Sequence, residues 1–357
     1  MKRTVSFSKE SSNVFFHILT DCNLRCIHCY INKEQHGSNS LSLPEIEAWL
    51  ELFATKSKKT NLIFLGGEPT LHPDLSLAIK KARSLGYSSI TVDTNGYLFN
   101  DILNKIGPDE VDFFSFSLDG ATKTTNDMIR GKGSYDKCIA GIRDAVKKGF
   151  NTSVIYTVSS LNILELKMMP PLLEKLGIDR FFIQVIGIRG NPVKNDFLKP
   201  DCHYDDIDRS GINQNGLEQT KLQAKLQVSR ALWTEIIPET AEKAAEPGII
   251  VTYPKVFLSP KDTFECAGLV ADNYFIFPNG RVYRCPLCED FPMHSMVIRE
   301  NRLIKRGKIN ESHLFKLNIP EGCVMNRLIQ SDNLEYNANG TPEFKVACCM
   351  LKEEILP

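Results

Sequence analysis

At 357 residues, 42% apolar and 24% charged, the chain is long enough for one large domain, alone or with a smaller one attached. Its 43 basic and 43 acidic residues balance, which excludes bulk electrostatic attraction to nucleic acid or to an acidic membrane surface. The sequence holds no run of about 18 apolar residues, and the N-terminus, MKRTVSFSKESSNVFF, carries no apolar signal core, so the expected location is the cytoplasm, with no membrane partner.

Apolar runs suited to buried strands alternate with helical patterns from residue 14 to about 256. VFFHILT reads as a strand, followed by three cysteines (Cys22, Cys26, Cys29) and Tyr30 on a loop of about twenty residues, long enough to imply function. LSLPEIEAWLELFATKS reads as a helix with Ser42 as N-cap and Glu45 three residues on. NLIFLGGE is the next strand; PDLSLAIKKARSLG is a helix that Gly86 stops. SSITVDTNG, a short helix near 100–106, VDFFSFSLDG and a helix over 134–148 follow. TSVIYTVSS, a helix over 164–176, RFFIQVIGI, a polar irregular stretch over 189–216, a long helix near 217–245 and GIIVTYPKV complete the series. This alternation predicts a parallel sheet covered by helices, with about six β/α units, a partial barrel.

Ligands of parallel α/β sheets bind where the strands end. The residues with chemistry fall there: the cysteines after the first strand, GGEP (66–69) after the second, DTNG (93–96) after the third, SLDG (117–120) after the fourth, TVSSLN after the fifth and GIRGN after the sixth. One edge is therefore the expected active face. Cys138, inside a helical pattern, is expected to pack, and Cys202 is assigned nothing.

From residue 257 the texture changes. NYFIFPNGRVYRC alternates apolar and polar residues around Asn-Gly, a two-residue hairpin signal, with Cys266 before it and Cys285 and Cys288 after it. Cys323, Cys348 and Cys349 lie further on. Residues 1–256 read as the core and 257–357 as a small cysteine-rich α+β appendix.

Eleven cysteines with no secretory signal point to metal ligands rather than disulfides. C-x3-C-x2-C on one loop suits three corners of a [4Fe–4S] cluster with one iron left open; zinc with His28 as fourth ligand is the alternative. With GGEP and SLDG at strand ends, CNLRCIHCY resembles the radical S-adenosylmethionine (SAM) enzymes, over residues 14 to 256. The resemblance implies a partial (β/α)6 barrel and a cluster whose open iron binds SAM. One electron then cleaves SAM to a 5′-deoxyadenosyl radical that abstracts hydrogen. By the same resemblance Cys22, Cys26 and Cys29 ligate the cluster, and Tyr30 lies beside the adenine. Gly66, Gly67, Glu68 and Pro69 receive the methionine amino group, while Ser117, Asp119 and Arg130 face the SAM carboxylate and ribose. Asn95 and Asn162 are weaker polar candidates, and Arg189, Glu289 and Asp290 are possible acids or bases near the same face. Low-oxygen conditions are implied.

Cys266, Gly280 and Cys285 fit C-x13-G-x4-C, similar to the opening of the SPASM and twitch extensions of this family. The compact four-cysteine run of a full SPASM domain is absent from the sequence, which favours one auxiliary [4Fe–4S] cluster. Its expected ligands are Cys266, Cys285, Cys288 and Cys323, with Cys348 or Cys349 as replacements for Cys323; structural zinc is the alternative. The function expected is an oxidoreductase or maturase acting on a small molecule or peptide, with a flavodoxin or ferredoxin as electron donor. The short segment before the first strand weakens the peptide option, because peptide maturases often carry a leader-binding domain there. A metal-binding or electron-transfer protein without SAM chemistry is the second reading, and GGEP argues against it.

Overall fold

A computed structural model of the chain describes residues 1–54, 58–190, 226–330 and 333–357. Seven strands follow one another through the first two thirds of the chain: β2 (Ser11–His17), β3 (Lys59–Leu65), β4 (Ser89–Thr94), β5 (Phe113–Ser117), β6 (Thr152–Val158), β7 (Arg180–Val185) and β8 (Ile250–Pro254). Each is parallel to the next. Six crossovers join them, each with a helix: Leu43–Phe53, Leu75–Ser84, Ile102–Lys105, Ser134–Lys147, Met169–Leu176 and Arg230–Ala245. This is the expected (β/α)6 arrangement with a final strand, and the sheet stays open at both ends among the described residues. The expected loop over 189–216 and the start of the last helix, near 217, fall almost entirely within 191–225, outside the described residues, as does Cys202.

Local signals explain the element ends. The Glu45 carboxylate accepts hydrogen bonds from the Ser42 backbone N–H (2.8 Å) and hydroxyl (2.7 Å), closing the first turn of its helix. Gly86, at φ +83°, lets the chain leave the next helix in the left-handed region. Burial alternates along the strands. Val14, Phe16, Leu62, Phe64, Ile90, Val92, Phe114, Phe116, Val154 and Tyr156 form one core with Ile46, Trp49, Ile79 and Ile142 from the helices. Each such apolar side chain contributes about 1.5–3 kcal/mol by leaving water. The opposite, helix-free face carries half-buried and polar groups such as Asn13, Asn61, Asp93 and Ser117. The strands thus alternate rather than reading as apolar on both faces, because helices cover one face only.

The C-terminal hundred residues join the sheet at both edges. β10 (Asp272–Ile276) runs parallel to β2, and β11 (Arg281–Tyr283), β12 (Met296–Arg299) and β13 (Arg302–Lys305) extend it as an antiparallel meander. At the other edge β15 (Lys352–Ile355) lies antiparallel between β8 and β1 (Lys2–Val5), an N-terminal strand that the sequence pattern does not announce. β9 (Phe257–Leu258) and β14 (Lys345–Val346) form a separate pair. The β10–β11 hairpin differs from the two-residue expectation. Phe277 N–H bonds the Arg281 carbonyl (3.1 Å) and Gly280 N–H bonds that of Phe277 (2.9 Å), with only Gly280 at positive φ. The fixed φ of Pro278 suits the first corner of an ordinary turn and not a primed one, so the loop takes one more residue.

Candidate functional site

The loop after β2 is tied to the loop after β3 through the backbone. Gly67 N–H donates to the Leu19 carbonyl (3.0 Å) and Glu68 N–H to that of Asp21 (2.9 Å). A Cβ on Gly66 would lie 2.9 Å from the Leu19 carbonyl oxygen, and one on Gly67 would overlap the Asp21 carbonyl. The two glycines are therefore required by close approach to the cysteine loop, rather than by turn geometry. Glu68 is 1% exposed. Its carboxylate accepts from Thr70 N–H (3.1 Å), Thr70 hydroxyl (2.6 Å), Thr94 hydroxyl (2.8 Å) and Asn95 N–H (2.7 Å). Burial raises its pKa and those bonds pull it back. Glu68 thus ties the loops after β3 and β4 together, and Pro69 opens the short turn that Glu68 caps.

The three thiols lie within one another's electrostatic reach. Leu24 N–H (3.4 Å) and the Asn95 amide (3.8 Å) point at the Cys22 sulfur, and Arg130 Nη1 lies 3.9 Å from that of Cys26. Burial pushes Cys22 and Cys26 up to about 11, and raises Cys29 as well. Buried thiols of this kind ionise only beside a strong positive charge, which soft metal centres supply. The donor set therefore fits an iron–sulfur cluster. His28, the alternative fourth ligand, turns its Nε2 to Asp119 (3.3 Å), and burial lowers its pKa to about 4.

Asp119 and Arg130 pair with each other (2.6 Å), both buried, and Asp119 also accepts from Thr157 N–H (2.7 Å). Ser117 ends β5, and its carbonyl faces the Cys138 thiol at 3.6 Å. Asn162 donates to the Asp119 and Thr157 carbonyls, so it braces the backbone there, while Asn95 reaches Asn23 on the cysteine loop (2.8 Å). Cys138 is buried in its helix as expected. The Tyr30 hydroxyl bonds His17 Nε2 (2.6 Å), and the other nitrogen of His17 bonds the Ile276 carbonyl (2.9 Å). Burial lowers His17 to about 3, so it is neutral, donates to Ile276 and accepts from Tyr30.

The second cysteine group gathers around one pocket. Cys266, Cys285, Cys323, Cys348 and Cys349 line one small cavity of about 20 Å³, and Cys288 hydrogen-bonds Cys285 beside it. Burial pushes Cys266 up to about 11 and Cys323 up to about 12. Phe264, Leu314 and Phe315 supply apolar walls. Among the described residues, no three His, Cys, Asp or Glu side chains converge on the position of one metal ion. The structure brings Cys348 and Cys349 to the group alongside the four expected ligands.

Of the possible acids and bases, Arg189 is paired with Glu289, and Asp290 accepts from Gly190 N–H (2.7 Å). Burial pushes Glu289 up, and the direct ion pair with Arg189 opposes the rise and favours the carboxylate. Asp93, which opens the DTNG stretch noted after the third strand but was given no role of its own, stands on the helix-free face with its pKa pushed up to about 7 by burial.

A family model described as the radical SAM superfamily matches residues 17–169. The chain is 28% identical to the Fe-coproporphyrin III synthase of Methanosarcina barkeri, across 68% of this chain and 63% of that protein. It is also 28% identical to the pre-heme d1 synthase of Dinoroseobacter shibae, across 67% and 54%. The chain thus spans roughly half to three fifths of the length of these relatives. Streptococcus suis SuiB bound to S-adenosylmethionine shares the fold at a TM-score of 0.58 and 13% identity, over 90% of this chain and 72% of SuiB. The three-cysteine loop after the first core strand and the parallel strands β3 to β6 lie within the residues that this family model matches.

Proposed function

We propose that the chain is a radical SAM enzyme, an oxidoreductase or a maturase of a peptide or small molecule, whose SAM-binding cluster is held by Cys22, Cys26 and Cys29. The observation that carries this reading is the packing of Gly66, Gly67 and Glu68 against the backbone of the three-cysteine loop, on the strand edge that takes ligands. When bound, a [4Fe–4S] cluster with an open iron supplies the electron that splits SAM into methionine and a hydrogen-abstracting 5′-deoxyadenosyl radical.

The chain's own residues hold and orient. N–H groups of Leu24, Asn95 and Arg130 aimed at sulfur favour the charged thiolates. Gly66, Gly67, Glu68 and Pro69 form the side for the methionine amino group; Glu68 acts there chiefly by fixing the loops, since its oxygens already hold four donors. The Tyr30 backbone lies on the adenine side. Ser117 and the Asp119–Arg130 pair form the carboxylate and ribose side, with Arg130 oriented by Asp119.

Residues 257–357 form a twitch- or SPASM-like extension with one auxiliary cluster. The shared cavity supports Cys266, Cys285 and Cys323, with Cys348 or Cys349 in place of Cys323, and the hydrogen bond of Cys288 to Cys285 supports Cys288 as the remaining ligand. A flavodoxin or ferredoxin supplies electrons in the cytoplasm; among the described residues no helix is long and apolar enough to cross a membrane.

Anaerobic loading with iron and sulfide, then dithionite and SAM, tests the reading. The expected result is 5′-deoxyadenosine, about eight irons per chain, and about four after Cys266 and Cys285 are both replaced by Ala. A loaded, reduced chain that leaves SAM intact overturns the function. Iron content unchanged in the double variant overturns the auxiliary cluster.

A further inference from the structure

The segment that follows β7 joins the two cysteine loops. Arg189 lies over the Tyr30 ring, its guanidinium carbon 4.5 Å from the ring centre, and Tyr30 directly follows Cys29. The same guanidinium donates to the Pro286 carbonyl and pairs with Glu289, the residues that flank Leu287 and Cys288. Gly190 packs so tightly on the Cys29 carbonyl and the Tyr30 backbone that a Cβ would overlap them, and its N–H reaches Asp290. Beneath this, His17, Phe277 and His36 stack at 4.1 and 3.9 Å, and His36 Nε2 bonds the Glu289 carbonyl (3.2 Å). Arg189 also lies within electrostatic reach of Cys349. A cation and an anion thus stand between the two cysteine-bearing loops, held by contacts to both.

We propose that Arg189 and Glu289 are positioning residues that set the reduction potential of the first site and make it depend on the second loop. The proposal rests on the cluster assignment above. A cation beside a cluster favours its reduced, more negative form, and an anion disfavours it; net charge and hydrogen bonding are established levers on such potentials. Glu289 holds Arg189 against Tyr30, the residue after Cys29, so movement of the second cysteine loop alters the charge on that side of the first.

The test is a redox titration of the reconstituted full chain by electron paramagnetic resonance, following the signal that changes when SAM is added. Arg189→Ala is expected to make reduction of that site at least tenfold less favourable, about 59 mV for one electron. Glu289→Gln is expected to shift it the opposite way, and Arg189→Lys, which keeps the charge, to stay near wild type. Unchanged potentials in both Arg189→Ala and Glu289→Gln at wild-type iron content overturn the proposal. So does an Arg189→Lys variant as displaced as Arg189→Ala, because lost packing would then account for the effect. Should Arg189→Ala fail to fold, the Glu289→Gln shift decides alone. A wild-type chain with no SAM-responsive signal overturns the cluster assignment itself, and that result is visible before any variant is compared.

Discussion

A methyl group at position 67 has nowhere to go. In Gly67→Ala the new Cβ meets the Asp21 carbonyl, one residue before Cys22, and backbone yields less readily than a side chain. Overpacking of this kind costs about 1–3 kcal/mol, and here the strain falls on the cysteine loop. Gly67→Ala is expected to bind about four fewer irons per chain than wild type under identical loading, with an unchanged far-ultraviolet circular dichroism spectrum; full iron content would show that the loop adapts. Asp93 is a second residue with a measurable signature. Burial raises it from 3.8 to about 7, with Glu68 adding to the rise and Ser115 opposing it. The folded chain therefore holds this proton more tightly than the unfolded one. Its contribution is full below about pH 4 and is lost as pH climbs toward 7. Asp93→Asn should flatten that decline, gaining stability over wild type at about pH 8 but not at about pH 4, with a ceiling of about 4 kcal/mol. Urea unfolding at the two pH values checks the sign. The cysteines and glycines were legible because their spacing is local. Glu68–Asn95 was not legible as a pair, because the partners come from different strand ends and meet only when the sheet forms; Asp119 and Arg130 both follow β5, and they meet through the helix Lys123–Arg130, which the strand–helix alternation did not call for.

At the scale of elements, the seam between β2 and β10 is far from local, linking residues about 260 apart in sequence. Asn61, Asn13 and Asn273 stand side by side in register and form a ladder of amide hydrogen bonds at 3.0 and 2.9 Å. Two positions along, Phe15 stacks on Phe275 with ring centres 4.4 Å apart. The middle amide serves both neighbours, so Asn13→Ala leaves the Asn61 amide group without an acceptor and the Asn273 oxygen without its donor. A loss of about 1–3 kcal/mol is expected. In the Asn13→Ala, Asn273→Ala double variant the loss should be smaller than the sum of the two singles, since they remove one shared bond. Thermal melts of the four chains provide the cycle, and strict additivity would show that the ladder contributes nothing. Periodicity revealed the seven core strands because each carries its own alternation. It did not reveal that β10 would add beside β2, because strand order is chosen by pairing and not by any single segment.

At the scale of the whole molecule, the C-terminal hundred residues extend the main sheet at both edges of the core strands. β15 fits between β8 and β1, with Arg3 and Glu354 paired at 2.6 Å, while β10 covers β2 at the opposite edge. The change of texture at residue 257 is real in the sequence, yet the segments beyond it complete both borders of the core. A chain ending at residue 256 would lose β10 and β15 together. It would expose the backbone N–H and C=O groups of β2 and β8, and uncover Phe15 on the sheet face. Unpaired long edges drive association between chains. We therefore expect the 1–256 fragment to aggregate, or to melt without a cooperative transition, whereas the intact chain unfolds as one unit. A chain ending at residue 351, which retains β10 but lacks β15, should fall between them with a lowered melting temperature. Differential scanning calorimetry of the three chains distinguishes the outcomes: a 1–256 fragment with a sharp transition near that of the full chain would mean that the core folds alone and the C-terminal strands merely dock on it.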